Sequence, residues 1–91
     1  MKKASFLIRF TIPARKELKR LTEPQQTLIA KKIRNLASEP LPDSVVKLKG
    51  VASLYRIRSG DYRIVYQIHN EELIVLIIKI GHRRDVYKII N

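Results

Sequence analysis

The stretch Leu54–Tyr87, LYRIRSGDYRIVYQIHNEELIVLIIKIGHRRDVY, decides the fold. In its first half, large apolar residues alternate with arginines at a period of two, the mark of a strand with one buried face. Gly60-Asp61 interrupts the alternation, and a Gly-first dipeptide suits the two-residue type II′ turn of a β-hairpin. That turn pairs Ser59 with Tyr62, Arg58 with Arg63, Ile57 with Ile64 and Arg56 with Val65. Arg56, Arg58 and Arg63 then share one face, while Tyr55, Ile57, Tyr62, Ile64 and Tyr66 share the other. A loop one residue longer or shorter would put Arg58 and Arg63 on opposite faces, so the cationic face depends on the turn.

Downstream, Leu73 to Ile80 is apolar on both faces, as a well-covered strand should be, and Gly81 is expected to end it. His82, Arg83, Arg84 and Tyr87 follow in a tight segment expected to fold back over the edge of the cationic face. Upstream the period changes. Ser5 to Phe10 reads as a first strand, and Pro13 suits the first turn of a helix carrying Ala14, Leu18 and Leu21. Thr22 can cap a second helix, with Gln25 as its capping-box partner. That helix is expected to run to about Ala37, burying Leu28, Ile29, Ile33 and Leu36 and leaving Lys31, Lys32 and Arg34 largely outside the stripe. Pro40-Leu41-Pro42 then opens a loop.

Ninety-one residues make one small domain, residues 1–91, with no repeat and no internal boundary. There is no cysteine, so neither a disulfide nor a thiolate metal site is available. Asp43, Glu71 and Glu72 have no metal-ligand spacing, and the chemistry is expected to need no metal or other cofactor. The longest apolar run, Leu73 to Ile78, is far short of the roughly 20 residues a membrane helix requires. Arg9 breaks the short apolar run behind Met1-Lys2-Lys3, so no targeting segment is read, and the chain is expected to be soluble and cytoplasmic. Nineteen Lys and Arg against eight Asp and Glu give a formal net charge of +11. That imbalance favours a polyanion or a strongly acidic protein partner.

Charge on an exposed strand commonly serves only to blunt unwanted edge pairing. Arg63 is harder to treat so, because it lies between Tyr62 and Ile64 beside Val65, where a charge needs a partner. Clustered arginines repel one another unless an anion lies between them, and the hairpin supplies no carboxylate on that face. A phosphodiester completes such a surface, which makes RNA the leading ligand and a candidate substrate. Tyr55, Tyr62 and Tyr66 alternate at strand spacing and read as core.

The chain resembles the RelE/ParE superfamily of bacterial toxins, RelE-type mRNA endonucleases in particular. The resemblance runs through Ala14-Arg15-Lys16-Glu17-Leu18-Lys19-Arg20-Leu21 and Lys47-Leu48-Lys49-Gly50. It continues in Tyr55-Arg56-Ile57-Arg58, Tyr62-Arg63-Ile64-Val65-Tyr66 and Gly81-His82-Arg83-Arg84-Asp85-Val86-Tyr87. It implies an α+β fold, with two N-terminal helices packed on a small twisted, mostly antiparallel sheet. It also implies a type II toxin that cleaves mRNA in the ribosomal A site. An acidic RelB-like antitoxin would wrap it in a hetero-oligomer. The functional set it implies is Arg56, Arg58, Arg63, Arg83 and Tyr87, with His82 a further catalytic candidate. Lys47, Lys49 and Arg84, within the same motifs, are further phosphate-binding candidates. In the implied chemistry a ribose 2′-hydroxyl attacks the adjacent phosphorus and the 5′-oxygen leaves. Arg63 would stabilise the transition state while Arg56 and Arg58 grip the backbone. Arg83 would stabilise the transition state or leaving group, and Tyr87 would position or deprotonate the hydroxyl. RelE itself has lysines where this chain has Arg56 and Arg58, and arginine, unlike lysine, does not give up its proton. The base is therefore open between Tyr87 and His82. The rival readings are a ParE-like inhibitor of DNA gyrase on the same fold and a non-catalytic basic RNA- or partner-binding module.

Overall fold

The structure, a computed structural model, describes residues 5–50 and 52–85. Its elements run β1 (Leu7–Phe10), α1 (Ile12–Lys19), α2 (Glu23–Asn35), β2 (Val46–Lys47), β3 (Leu54–Ser59), β4 (Tyr62–His69) and β5 (Ile74–His82). They form one five-stranded sheet in the order β1-β5-β4-β3-β2. β1 runs parallel to β5, and every other neighbour is antiparallel. The expected α+β architecture is the observed one, and its mostly antiparallel sheet carries one parallel edge.

The two helices cover one face of the sheet. Ala14, Ile29, Ile33 and Leu36 meet Ile57, Ile64, Tyr66, Ile68, Val75, Ile77 and Ile80 in a single buried cluster. Each such aliphatic side chain taken from water contributes about 1.5–3 kcal/mol, so the helix layer fixes which sheet face is inside. Tyr66 is fully buried in this cluster, and its hydroxyl donates to the Pro40 carbonyl oxygen at 2.6 Å. That bond ties the middle of the sheet to the loop leaving α2. Burial, with a smaller contribution from Tyr55, pushes the Tyr66 phenol well above the ordinary tyrosine value.

α1 starts as its sequence directs: Pro13 lies in the first turn and the Thr11 hydroxyl accepts from the Ala14 N–H at 3.2 Å. α2 departs from expectation. Thr22 is its N-cap residue, yet its side chain makes no capping bond, so the expected capping box with Gln25 does not form. Gln26 instead turns back, and its amide donates to the Leu21 carbonyl at 2.7 Å, tying the α1–α2 corner together. Leu28, expected on the buried stripe, is 60% exposed, because Ile29 and Ile33 already fill the line facing the sheet. β2 was not expected at all. It is two residues long, too short to show any period, and it is held by Val46↔Arg56 and Lys47↔Tyr55 pairing.

β5 contains the fold's main irregularity. Tyr66 pairs with Ile77 but Val65 pairs with Lys79, leaving Ile78 as an extra residue. In a regular ladder continued from Ile77, Lys79 would lie opposite Ile64 and face the core. The bulge puts Ile80 there instead, 2% exposed, and sends Lys79 to the other side. The surrounding chain supports the irregularity: the Thr11 hydroxyl donates to the Ile78 carbonyl at 3.1 Å. Glu17 accepts from the Ile80 N–H at 3.0 Å and pairs with Lys79, closing the β5 edge beyond the end of β1. The strand continues through Gly81 to His82, one residue past its expected end. Among the described residues, no helix is long and apolar enough to cross a membrane.

Candidate functional site

The β3–β4 hairpin has the register its sequence predicts, from Leu54↔Gln67 to Ser59↔Tyr62 around Gly60-Asp61. Gly60 takes φ +60 and Asp61 has no positive φ, the pattern of a type II′ turn. Arg56, Arg58 and Arg63 therefore project from the face opposite the helices. They line one recess of about 270 Å³ together with Ser44 and Val46. Sequence reasoning missed those last two residues because β2, which brings Val46 beside Arg56, is too short to leave a signal.

Arg63 is the buried charge of the site, 8% exposed. One terminal nitrogen of its guanidinium donates to the Gly60 carbonyl at 2.9 Å and to the Tyr62 carbonyl at 3.1 Å. These dipoles replace part of the lost water. They bring no negative charge, and among the described residues the only ion pair is Glu17–Lys79. A buried cation held by neutral dipoles beside a second and a third arginine has the donors and the charge that suit an anion. Arg58 is exposed and Arg56 is half-buried.

The other expected site residues divide. Arg83 is exposed, and its backbone N–H donates to the Asp61 carbonyl at 2.8 Å, which fastens it to the hairpin tip beside the acceptors of Arg63. Arg84 is exposed, and its N–H makes a 3.4 Å contact with His82 Nδ1. His82 does not join the arginines. It pairs with Tyr62 and so lies on the helix-side face, its ring edge-on to Tyr62 at 5.9 Å between centroids. There it lines a separate cleft of about 220 Å³ with Gln25, Leu28 and Ile29. The expected fold-back of this segment over the cationic face is thus not seen for His82, because the bulge fixes the register of β5. Gly81 is the residue opposite Arg63. Lys47 and Lys49 also lie apart, lining a shallow cleft with Leu48, Gly50 and Ala52. Tyr87 lies outside the described residues.

Residues 8–87 match the family model of the ParE toxin of type II toxin–antitoxin systems, parDE. The chain belongs to the RelE/ParE superfamily of toxins. Among its superfamily relatives is toxin RelG of Mycobacterium tuberculosis, 33% identical over 86 residues that cover 91% of this chain and 97% of the relative. The mRNA interferase toxin RelE of Escherichia coli K12 is 31% identical over 87 residues, covering 91% and 90%. The solved toxin–antitoxin complex RelBE2 of M. tuberculosis superposes with a TM-score of 0.78 at 30% identity, over 90% of this chain and 95% of that one. The isolated E. coli RelE toxin gives the same TM-score at 26% identity, over 93% and 99%. The superfamily fold therefore spans nearly the whole chain, and the arginine recess is built on its shared hairpin.

Proposed function

We propose that this toxin is a ribosome-dependent endoribonuclease that cuts mRNA in the A site and so stops translation in the cytoplasm. The observation that carries the proposal is Arg63, a buried guanidinium held by two backbone carbonyls in a recess that it lines with Arg56 and Arg58. The naming of the E. coli relative as an mRNA interferase supports it. In this reading the scissile phosphate enters the recess, gripped by Arg56 and Arg58. The 2′-hydroxyl gives its proton to the base and attacks phosphorus, a 2′,3′-cyclic phosphate forms as the P–O5′ bond breaks, and the 5′-oxygen takes a proton from water as it leaves. Arg63 stabilises the charge gathering on the equatorial oxygens, as a preorganised donor in a water-poor site does best. Arg83, at the hairpin tip, serves the leaving group. Arginines do not act as bases, and His82 lies on the far face, so this reading gives the proton abstraction to Tyr87.

An acidic RelB-like antitoxin is the proposed partner, since the solved relative from M. tuberculosis is a toxin–antitoxin complex and this chain carries +11. The ParE description of the matching family model favours a second reading, inhibition of DNA gyrase without RNA cleavage. Purified protein incubated with programmed ribosomes, with mRNA ends mapped by primer extension, separates the two. Cleavage in the A site that disappears in folded Arg63→Ala supports the nuclease. Intact mRNA, from protein that still arrests growth, turns the assignment to gyrase.

A further inference from the structure

The Gly60-Asp61 turn does more than connect two strands. Its successive carbonyls go to residues of the proposed site: Gly60 O and Tyr62 O to the Arg63 guanidinium, and Asp61 O to the Arg83 N–H. Both bonds of Arg63 use the same terminal nitrogen, so the rest of the forked donor set is left for the recess. Gly60 can offer its carbonyl this way because its backbone sits at φ +60, a region that L side chains other than Asn and Asp rarely occupy.

We infer that Gly60 is a positioning residue, and that the type II′ turn it permits aims the Arg63 guanidinium into the recess. Arg83 is held by the same three-residue tip, so one backbone conformation sets the place of both arginines. This rests on the nuclease reading for its kinetic consequence but not for its geometry. A Cβ built on Gly60 meets nothing within 4 Å, so a substitution there changes the backbone preference of the turn without creating a packing clash. That makes the position a clean probe.

Two substitutions separate positioning from bulk stability. Gly60→Val strongly disfavours the positive-φ first central position of a type II′ turn, whereas Gly60→Asn, a residue type common in primed turns, tolerates it better. On programmed ribosomes, Gly60→Val should lower the saturating single-turnover rate about tenfold or more while the half-saturating concentration moves less than about threefold. Gly60→Asn should recover most of the rate. In an Arg63→Lys background, Gly60→Val should cost far less, because the group it positions has gone. A Val variant that cuts at the normal rate, an Asn variant that fails to rescue, or an undiminished loss in the Lys background would each overturn the inference.

The geometry has its own readout. A guanidinium held by two carbonyls rotates slowly about its Cζ–Nη bonds and gives resolved Nη proton resonances. Those of Arg63 should be resolved in the unsubstituted protein and in Gly60→Asn, and averaged in Gly60→Val. If the unsubstituted protein leaves mRNA uncut but the resonances follow this pattern, the nuclease reading fails and the positioning stands. If Gly60→Val keeps the resonances resolved, the positioning fails whatever the protein does to mRNA.

Discussion

Arg63 and Tyr66, three residues apart on one strand, show two ways of burying a polar side chain. Among the described residues the Arg63 guanidinium meets two carbonyls and no charge of opposite sign, so it contributes little to folding and has further donors that could take an anion. The Tyr66 hydroxyl is matched one-to-one by the Pro40 carbonyl, deep in the core, and stabilises the fold alone. Removing that hydroxyl in Tyr66→Phe should cost about 1–2 kcal/mol near neutral pH, because the carbonyl is left without its donor. The pH dependence follows from the raised phenol. The folded chain holds the Tyr66 proton more tightly than the unfolded chain, whose tyrosine titrates near about 10. The bond is therefore fully effective below that pH, and stability falls as pH rises above it. Urea midpoints measured from pH 8 to 11 should show the gap between the two proteins narrowing above pH 10. A gap that stays constant or widens would mean that the hydroxyl does not set the alkaline limit.

Among the elements, β5 explains why some of the site was legible in sequence and some was not. The β3–β4 hairpin could be read residue by residue, because a two-residue turn with a leading glycine leaves one register and an alternating pattern confirms it. The six residues Val75 to Ile80, five of them large and apolar, carry no such phase. Val, Leu, Ile, Ile and Ile suit either face, so nothing local marks Ile78 as the extra residue. The one polar residue in the run, Lys79, held the clue: in an unbroken ladder from Ile77 it would enter the core. His82, the catalytic candidate that went astray, lies beyond that phase change, whereas Lys47 and Lys49 lie apart because they belong to the short β2 strand and the loop after it. The missing cap on α2 is a separate departure: the Thr22 side chain makes no capping bond, and Gln26, one residue past the expected partner, ties the α1–α2 corner instead. The bulge itself makes a prediction. Deleting Ile78 removes the unpaired residue and leaves every cross-strand partner from Val65↔Lys79 onward unchanged. The variant should fold, losing about 1–3 kcal/mol with the Ile78 side chain and the Thr11 hydroxyl bond. Deleting Val65 from β4, which has no residue to spare, should abolish cooperative unfolding. If the two deletions behave alike in thermal melts, the assignment of Ile78 as the extra residue is wrong.

For the whole molecule the question is whether +11 acts as a diffuse field or through a few placed charges. The fold separates the two populations. Arg56, Arg58 and Arg63 line a recess on the open face of the sheet. Lys31, Lys32 and Arg34 are exposed on α2, in the layer that covers the other face. A ligand gripped in the recess releases counterions in proportion to the phosphates it neutralises there, with a slope of about −0.7 per contact for single strands. Three arginines then give a slope near −2 for log affinity against log salt, measured with a short, non-cleavable oligoribonucleotide. Arg58→Ala, which removes an exposed charge without disturbing the core, should make that slope shallower by roughly 0.7. Lys31→Ala removes the same formal charge from the far layer and should leave the slope unchanged, lowering affinity slightly and only at low salt, where the Debye length is longest. Equal changes in slope for the two variants would make the protein a general polycation, with the recess no more than its most crowded patch. Unequal changes would locate binding at the arginines that the turn and the short β2 strand bring together.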